Sequence, residues 1–195
     1  MRAAGRRTAF GSAPLKAALS LGLVALLTGC TASAPPYQAT LDNVRTLQTL
    51  PGGKVAIGPF TCADERLNHL AIRLSTYESP VGNSFAEYLR SALTAELQAA
   101  GKVDAGASTV ITGELLTNAI DDGLSASSAH VSARIVVKRG AQVRFDKVVH
   151  GDTEWESSVI GAVAIPLDRQ HHGDTIKQLL AALFADRDFQ ASIGT

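Results

Sequence analysis

The chain has 195 residues, 46% of them hydrophobic, with 18 basic and 18 acidic side chains. Four of the bases, Arg2, Arg6, Arg7 and Lys16, precede Gly29 and none of the acids does, so the remainder is net acidic by four charges. That balance disfavours a nucleic-acid-binding protein or one drawn electrostatically to anionic lipid, and residues 30–195 amount to a single domain.

The chain opens with a basic head and an apolar run from Ala17 to Leu27, followed by the small residues Thr28 and Gly29, the layout of a secretory signal. A bilayer-spanning helix needs about 20 apolar residues, so this run is too short to remain in the membrane. Leu27-Thr28-Gly29-Cys30 resembles a bacterial lipobox. The resemblance implies cleavage after Gly29, a thioether-linked diacylglycerol on Cys30 and acylation of the new amino terminus. Residues 1–29 are then a removed signal peptide, 30–40 a lipidated cysteine and tether, and 41–195 a single domain. With Cys30 acylated, Cys62 is the one remaining thiol; it is either buried and inert or available to a second chain.

Thr31 to Pro36 (TASAPP) reads as tether. Leu41, Val44 and Leu47 recur at helical spacing until Pro51-Gly52-Gly53 break the pattern, and Lys54 to Phe60 predicts a first strand ended near Pro59. Thr61 to Gly82 reads as a long loop. Asn83 to Ala100 predicts an amphipathic helix: Ser84 and Glu87 form a capping box, Phe85, Leu89, Ala92, Leu93 and Leu97 give the stripe, and Gly101 stops it. Val110 to Ile120 predicts a strand with a bulge at Gly113. Val131, Ala133, Ile135 and Val137 alternate with polar residues, Arg139-Gly140 turns the chain, and Val143 to Trp155 continues the alternation as a hairpin. Gly161 to Pro166 carries no decisive pattern. Asp174 is expected to cap a last helix with Ile176, Leu179, Leu180, Leu183 and Phe184 on its apolar stripe, Phe189 folding back onto the core. The order strand, helix, three strands, helix predicts an α+β two-layer sandwich: a mainly antiparallel four-stranded sheet with two main helices on one face.

No nucleophile elbow, dinucleotide fingerprint, phosphate loop or zinc-protease helix occurs, so no enzyme activity, metal or cofactor is expected. His171-His172-Gly173-Asp174 has metal-ligand residue types but reads better as a solvated loop ending in the helix cap, and His69, His130 and His150 form no constellation. Trp155, between Glu154 and Glu156, is either a core indole or an exposed anchor for a partner. On the hairpin, Ser132, Arg134, Lys138, Arg144 and Asp146, with Val136 and Val148 among them, lie on the face away from the helices. That face is a solvated surface or a protein interface; in the second case Arg134, Arg144 and Trp155 are the docking residues.

Leu41 to Val44, Val55 to Phe60, the Ser84 to Gly101 helix, Trp155 to Ser158 and Gly161 to Pro166 are similar to a group of small Gram-negative lipoproteins. The layout resembles YajG-like lipoproteins and the amino-terminal domain of the periplasmic protein TolB. Thr31 stands where an Asp would resemble an inner-membrane retention signal, which implies the outer membrane. The expected function is a lipid-anchored, non-catalytic accessory on the periplasmic side that binds an envelope protein. The alternative is a small-ligand or lipid-binding auxiliary of an envelope transport system, which a cavity between sheet and helices would favour.

Overall fold

The computed structural model describes residues 31–194; residues 1–29, expected to be a signal peptide, and Cys30 lie outside the described residues. In chain order the elements are β1 (Thr31–Ser33), α1 (Leu41–Thr49), β2 (Ala56–Cys62), a 3-10 turn (Glu65–Asn68), β3 (Leu70–Ile72) and β4 (Ser75–Glu78). Then follow α2 (Phe85–Ala99), β5 (Thr109–Asp122), β6 (Ala126–Arg139), β7 (Gln142–Glu156), α3 (Gly161–Ala185) and α4 (Arg187–Ile193). The main sheet has the order β2-β5-β6-β7, with β2 parallel to β5 and the other pairs antiparallel. A smaller sheet, β1-β4-β3, occupies much of the stretch read from sequence as a loop. The class is therefore the expected α+β, with α2 packed on β2 and β5, and α3 on β6 and β7.

Alternation along β6 buries Ala129, Val131, Ala133, Ile135 and Val137 against the helices. α2 presents Phe85, Leu89, Leu93 and Leu97 to them, with Ser84 accepting from the Glu87 amide as the capping box requires. Glu87 turns its carboxylate to Arg90 (2.7 Å) instead of closing the box. Gly101, at φ 74°, ends the helix. Pro59 lies inside β2 rather than after it, which an edge strand tolerates because no neighbour needs its missing donor. The bulge expected at Gly113 falls between Leu115 and Thr117. In α1 the inward face carries Asn43 and Leu47, while Leu41 is exposed.

α3 is longer than its apolar pattern. It begins at Gly161, so Asp174 is not a cap but a mid-helix residue paired with Lys177 (2.8 Å), and the His171-His172 stretch is helix rather than loop. Ala164, Asp168, His172, Ile176, Leu180 and Phe184 are all buried at four-residue spacing, which makes one continuous inward stripe. Gly151 of β7 makes the approach possible: a Cβ there would collide with the Thr175 carbonyl and lie 2.8 Å from the Leu179 amide nitrogen.

The segment expected to be a tether is part of the domain. β1 pairs in parallel with β4, Thr31 opposite Thr76 and Ser33 opposite Glu78, and the Ala34 amide continues the ladder to Glu78 (2.9 Å). Tyr88 donates to the Pro35 carbonyl (2.8 Å). Beyond it, the fully buried Glu96 of α2 accepts from the Tyr37 hydroxyl (2.7 Å), the Thr40 amide (3.0 Å) and the Asn43 side chain (3.0 Å). The paired residues of β1 exchange a sequence of small, Pro-flanked residues for backbone hydrogen bonds, which is why composition alone gave no sign of a strand.

Two consequences can be measured. Replacing Gly151→Ala forces β7 and α3 apart and should cost about 1–3 kcal/mol in a denaturant titration, as overpacking does. Replacing Glu96→Ala strands the donors of Tyr37, Thr40 and Asn43, which should cost at least about 2 kcal/mol and accelerate hydrogen exchange at the Thr40 amide. An unchanged exchange rate there would show that Glu96 does not fasten this segment.

Candidate functional site

With helices on one side, the other face of β5, β6 and β7 is open. Register places Arg134 between Glu114 and Val148, Val136 between Thr112 and Asp146, and Ser132 between Thr117 and His150. His130 lies between Ala119 and Asp152, and Ser128 between Asp121 and Glu154. The face therefore has two halves: a valine strip with Arg134, Lys138 and Asp146 towards the Gly140 turn, and a polar half with histidines and acids towards the β5–β6 turn. Val143 and Val148 are 51% and 45% exposed, enough to contribute apolar area to a contact.

The docking residues named from sequence are not brought together. Arg134 is on the open face, but its Nε and Nη2 both donate to Asp146 at 2.7 Å, and that pairing holds the Asp146 carboxyl below its ordinary range. Arg144 is the extra residue of a bulge in β7 and lines a shallow groove with Phe145, Asp188 and Ser192 at the sheet edge. Trp155 points inward, 8% exposed; its indole donates to Asp168 (3.2 Å) and stacks on His171 at 4.7 Å. It is a packing residue between β7 and α3, which corrects its assignment as an anchor. Cys30 lies outside the described residues.

The polar half holds a constellation that the sequence reading missed. Ser128 Oγ is 3.2 Å from His130 Nε2, and His130 Nδ1 is 2.7 Å from Asp152. The signal was available: Ser128 and His130 share a strand face, and the hairpin register sets Asp152 opposite His130. The order of groups is that of a nucleophilic triad, but β6 is a central strand whose amides are committed to ladders with β5 and β7. Acyl transfer needs donors aimed at a developing oxyanion, and the β6 amides beside Ser128 are already committed to the ladders with β5 and β7.

Two hollows lie elsewhere. One, of about 410 Å³, is lined by Pro35, Pro36, Tyr37, Tyr88, Pro166, Arg169 and Lys177, between the fastened N-terminal segment and α3. The other contains half-buried Cys62, whose thiol lies 3.3 Å from Asn68 Oδ1 and is pushed up in pKa chiefly by burial, leaving it a poor nucleophile. Between sheet and helices the space is filled: Leu93, Ile111, Ile135, Val137, Leu179 and Leu183 are all wholly enclosed. Within that layer His172 is hydrogen-bonded through both nitrogens, to Tyr77 (3.2 Å) and Asn118 (2.8 Å), and burial lowers its pKa to about 3. His171 and His172 thus serve different packing contacts and share no site.

No family model matches the chain, and no curated protein matches it in sequence. Several solved structures are similar to it, among them the following three. A protein from Xanthomonas campestris of the family DUF330 is 10% identical, with a TM-score of 0.54 over 83% of this chain and 99% of that one. A candidate lipoprotein from Caulobacter crescentus is 9% identical, with a TM-score of 0.44 over 77% and 93%. A protein from Chlamydia trachomatis is 12% identical, with a TM-score of 0.39 over 69% and 99%. The first shows a shared fold.

The buried His172 predicts a pH dependence. Its folded pKa lies below its unfolded value, so the native state binds fewer protons and stability falls as pH drops from about 6.5 towards 3. The slope approaches 1.4 kcal/mol, roughly, for each pH unit in that window. Denaturant titrations at pH 7 and 4.5 should show wild type losing about 2–3 kcal/mol more than His172→Gln. Equal losses would mean that another group titrates.

Proposed function

We propose that the protein is a non-catalytic lipoprotein, held by acyl chains on Cys30 at the periplasmic side of the outer membrane, that docks an envelope protein on the open face of β5, β6 and β7. Supporting the anchor are the basic head, the short apolar run and Leu27-Thr28-Gly29-Cys30; supporting the outer membrane is Thr31 in place of an acid. The resemblance to YajG-like lipoproteins and the TolB amino-terminal domain, which rests on Leu41 to Val44, Val55 to Phe60, the Ser84 to Gly101 helix, Trp155 to Ser158 and Gly161 to Pro166, supports the same reading.

One observation carries the docking reading. Three strands of 14 to 15 residues expose a face that mixes a valine strip with charges of both signs, while the opposite face is buried under helices. Such a face gives apolar contact at its centre and charge complementarity for register. The ligand-binding alternative is weaker because the layer between sheet and helices is packed solid where an acyl chain would have to enter. The non-catalytic reading draws on the Ser128 geometry, where the neighbouring β6 amides are committed to ladders.

Arg134 is a poor probe of this face, since its guanidinium is already committed to Asp146 and its removal leaves that carboxylate unpaired. Val136 and Val148 are better, being apolar at the centre of the strip. With a photoreactive residue at Thr112 in cells, crosslinks to envelope proteins should fall at least about tenfold in a Val136→Asp, Val148→Asp variant, the effect expected for losing about 1.4 kcal/mol. A wild-type crosslink pattern from the folded variant would exclude this face as the docking surface.

A further inference from the structure

Arg73 draws three turns to one end of the molecule. Its amide donates to Asp122, and its Nη2 donates to the Gly123 carbonyl (2.7 Å), Ser157 Oγ (3.0 Å) and the Ser158 carbonyl (3.0 Å). The Ser157 amide also donates to the Ser125 carbonyl (2.9 Å), so the β3–β4, β5–β6 and β7–α3 connections form one tip. Each presents bare apolar side chains: Leu74 is 103% exposed, Leu124 67%, Val159 76% and Ile160 59%. The three connecting segments, Arg73 to Ser75, Gly123 to Ser125 and Ser157 to Val163, contain no acid, and their one base is turned inward. Four large apolar side chains gathered at one end are not scattered surface residues; a patch of this kind marks contact with something apolar.

Chain geometry identifies the occupant. Thr31 pairs with Thr76, and β1 runs parallel to β4, so the start of β1 lies at the Leu74 end. Cys30 is one residue further, and consecutive Cα atoms are about 3.8 Å apart. The acyl chains expected on Cys30 therefore leave the domain beside the apolar tip, with no slack between them. We infer that Leu74, Leu124, Val159 and Ile160 insert into the bilayer next to the anchor, as interfacial apolar residues do, and stand the domain upright on the membrane. This inference rests on the lipidation reading. It adds a second contact, which fixes orientation where acyl chains alone would leave the domain free to roll.

The test uses full-length protein from its envelope, its mass measured for the diacylglyceryl group, in vesicles of phosphatidylethanolamine and phosphatidylglycerol whose acyl chains are brominated or not. Leu74→Trp, Leu124→Trp and Ile160→Trp are made singly, with Val148→Trp on the open face and Ala141→Trp at the far turn as controls; enclosed Trp155 is a common background. Brominated lipid should halve the added emission at the three tip positions and leave both controls unchanged. Acylated, vesicle-bound protein with equal quenching at tip and controls overturns the inserted tip and leaves the anchor standing. Protein without acyl mass that is nevertheless quenched at the tip overturns the anchor alone. Protein without acyl mass and without quenching overturns both.

Discussion

A carboxylate with no access to water must find donors within the fold, and Glu96 finds them all in residues 37–43. Removing any one donor leaves charge density uncompensated, so the group acts as a clasp with a definite closed geometry. Its effect reaches backward along the chain. With Tyr37, Thr40 and Asn43 fixed on α2, Pro35 is held under Tyr88 and β1 is delivered to the edge of β4. Without the clasp, three paired residues at the start of the domain would fray; with it, Thr31 has a fixed place.

The second constraint is the close contact of α3 with β7 at Gly151. It sets the depth of the whole helical layer and explains the polar residues in it. Asp168 sits where Trp155 needs an acceptor, and His172 where Tyr77 and Asn118 need a partner. A buried polar group is costly unless its bonds are made; His172 makes both of its own and Asp168 one, its Oδ2 being enclosed without a partner, and these pairings tie the α3 register to β4, β5 and β7 at once. Burial then keeps His172 neutral, at the expense of acid stability.

What could be read from the sequence follows from this. α2 and the β6–β7 hairpin were legible because their inward positions are apolar at periods of 3.6 and 2, and the open polar face followed from the same alternation. The first half of α3 was not, since its stripe runs through Asp168 and His172, and a polar residue at a core position looks like solvent exposure. β1 was hidden by Pro35 and Pro36, which favour a linker by composition, and its partner β4 lies in a stretch with weak periodicity. The proposed lipobox rests on residue types alone, whereas the Ser128–His130–Asp152 contact needed strand register as well. Trp155 was ambiguous because its flanking acids are compatible with either orientation. Only the Asp168 acceptor, thirteen residues on and in a helix that the pattern did not reveal, decides it.

These parts combine into a directional molecule. β7 has 15 residues, which at about 3.3 Å each make a strand roughly 50 Å long. It runs from the Gly140 turn to the tip gathered by Arg73. Arg73 itself sits at φ 56°, a conformation that costs a side chain about 1–2 kcal/mol and persists only when its surroundings impose it. Here the surroundings are the three turns that its guanidinium and amide join, so the strain is coupled to the assembly of the tip. On the proposed anchoring, that end faces the membrane and the open sheet face stands across it, its polar half near the lipid headgroups and its valine strip some tens of ångströms into the periplasm. A partner that lies on the outer membrane would meet the polar half; one that reaches from the periplasm would meet the valines. The distribution of apolar residues along the strands favours the second, because the contact area that drives association is concentrated at the end away from the anchor.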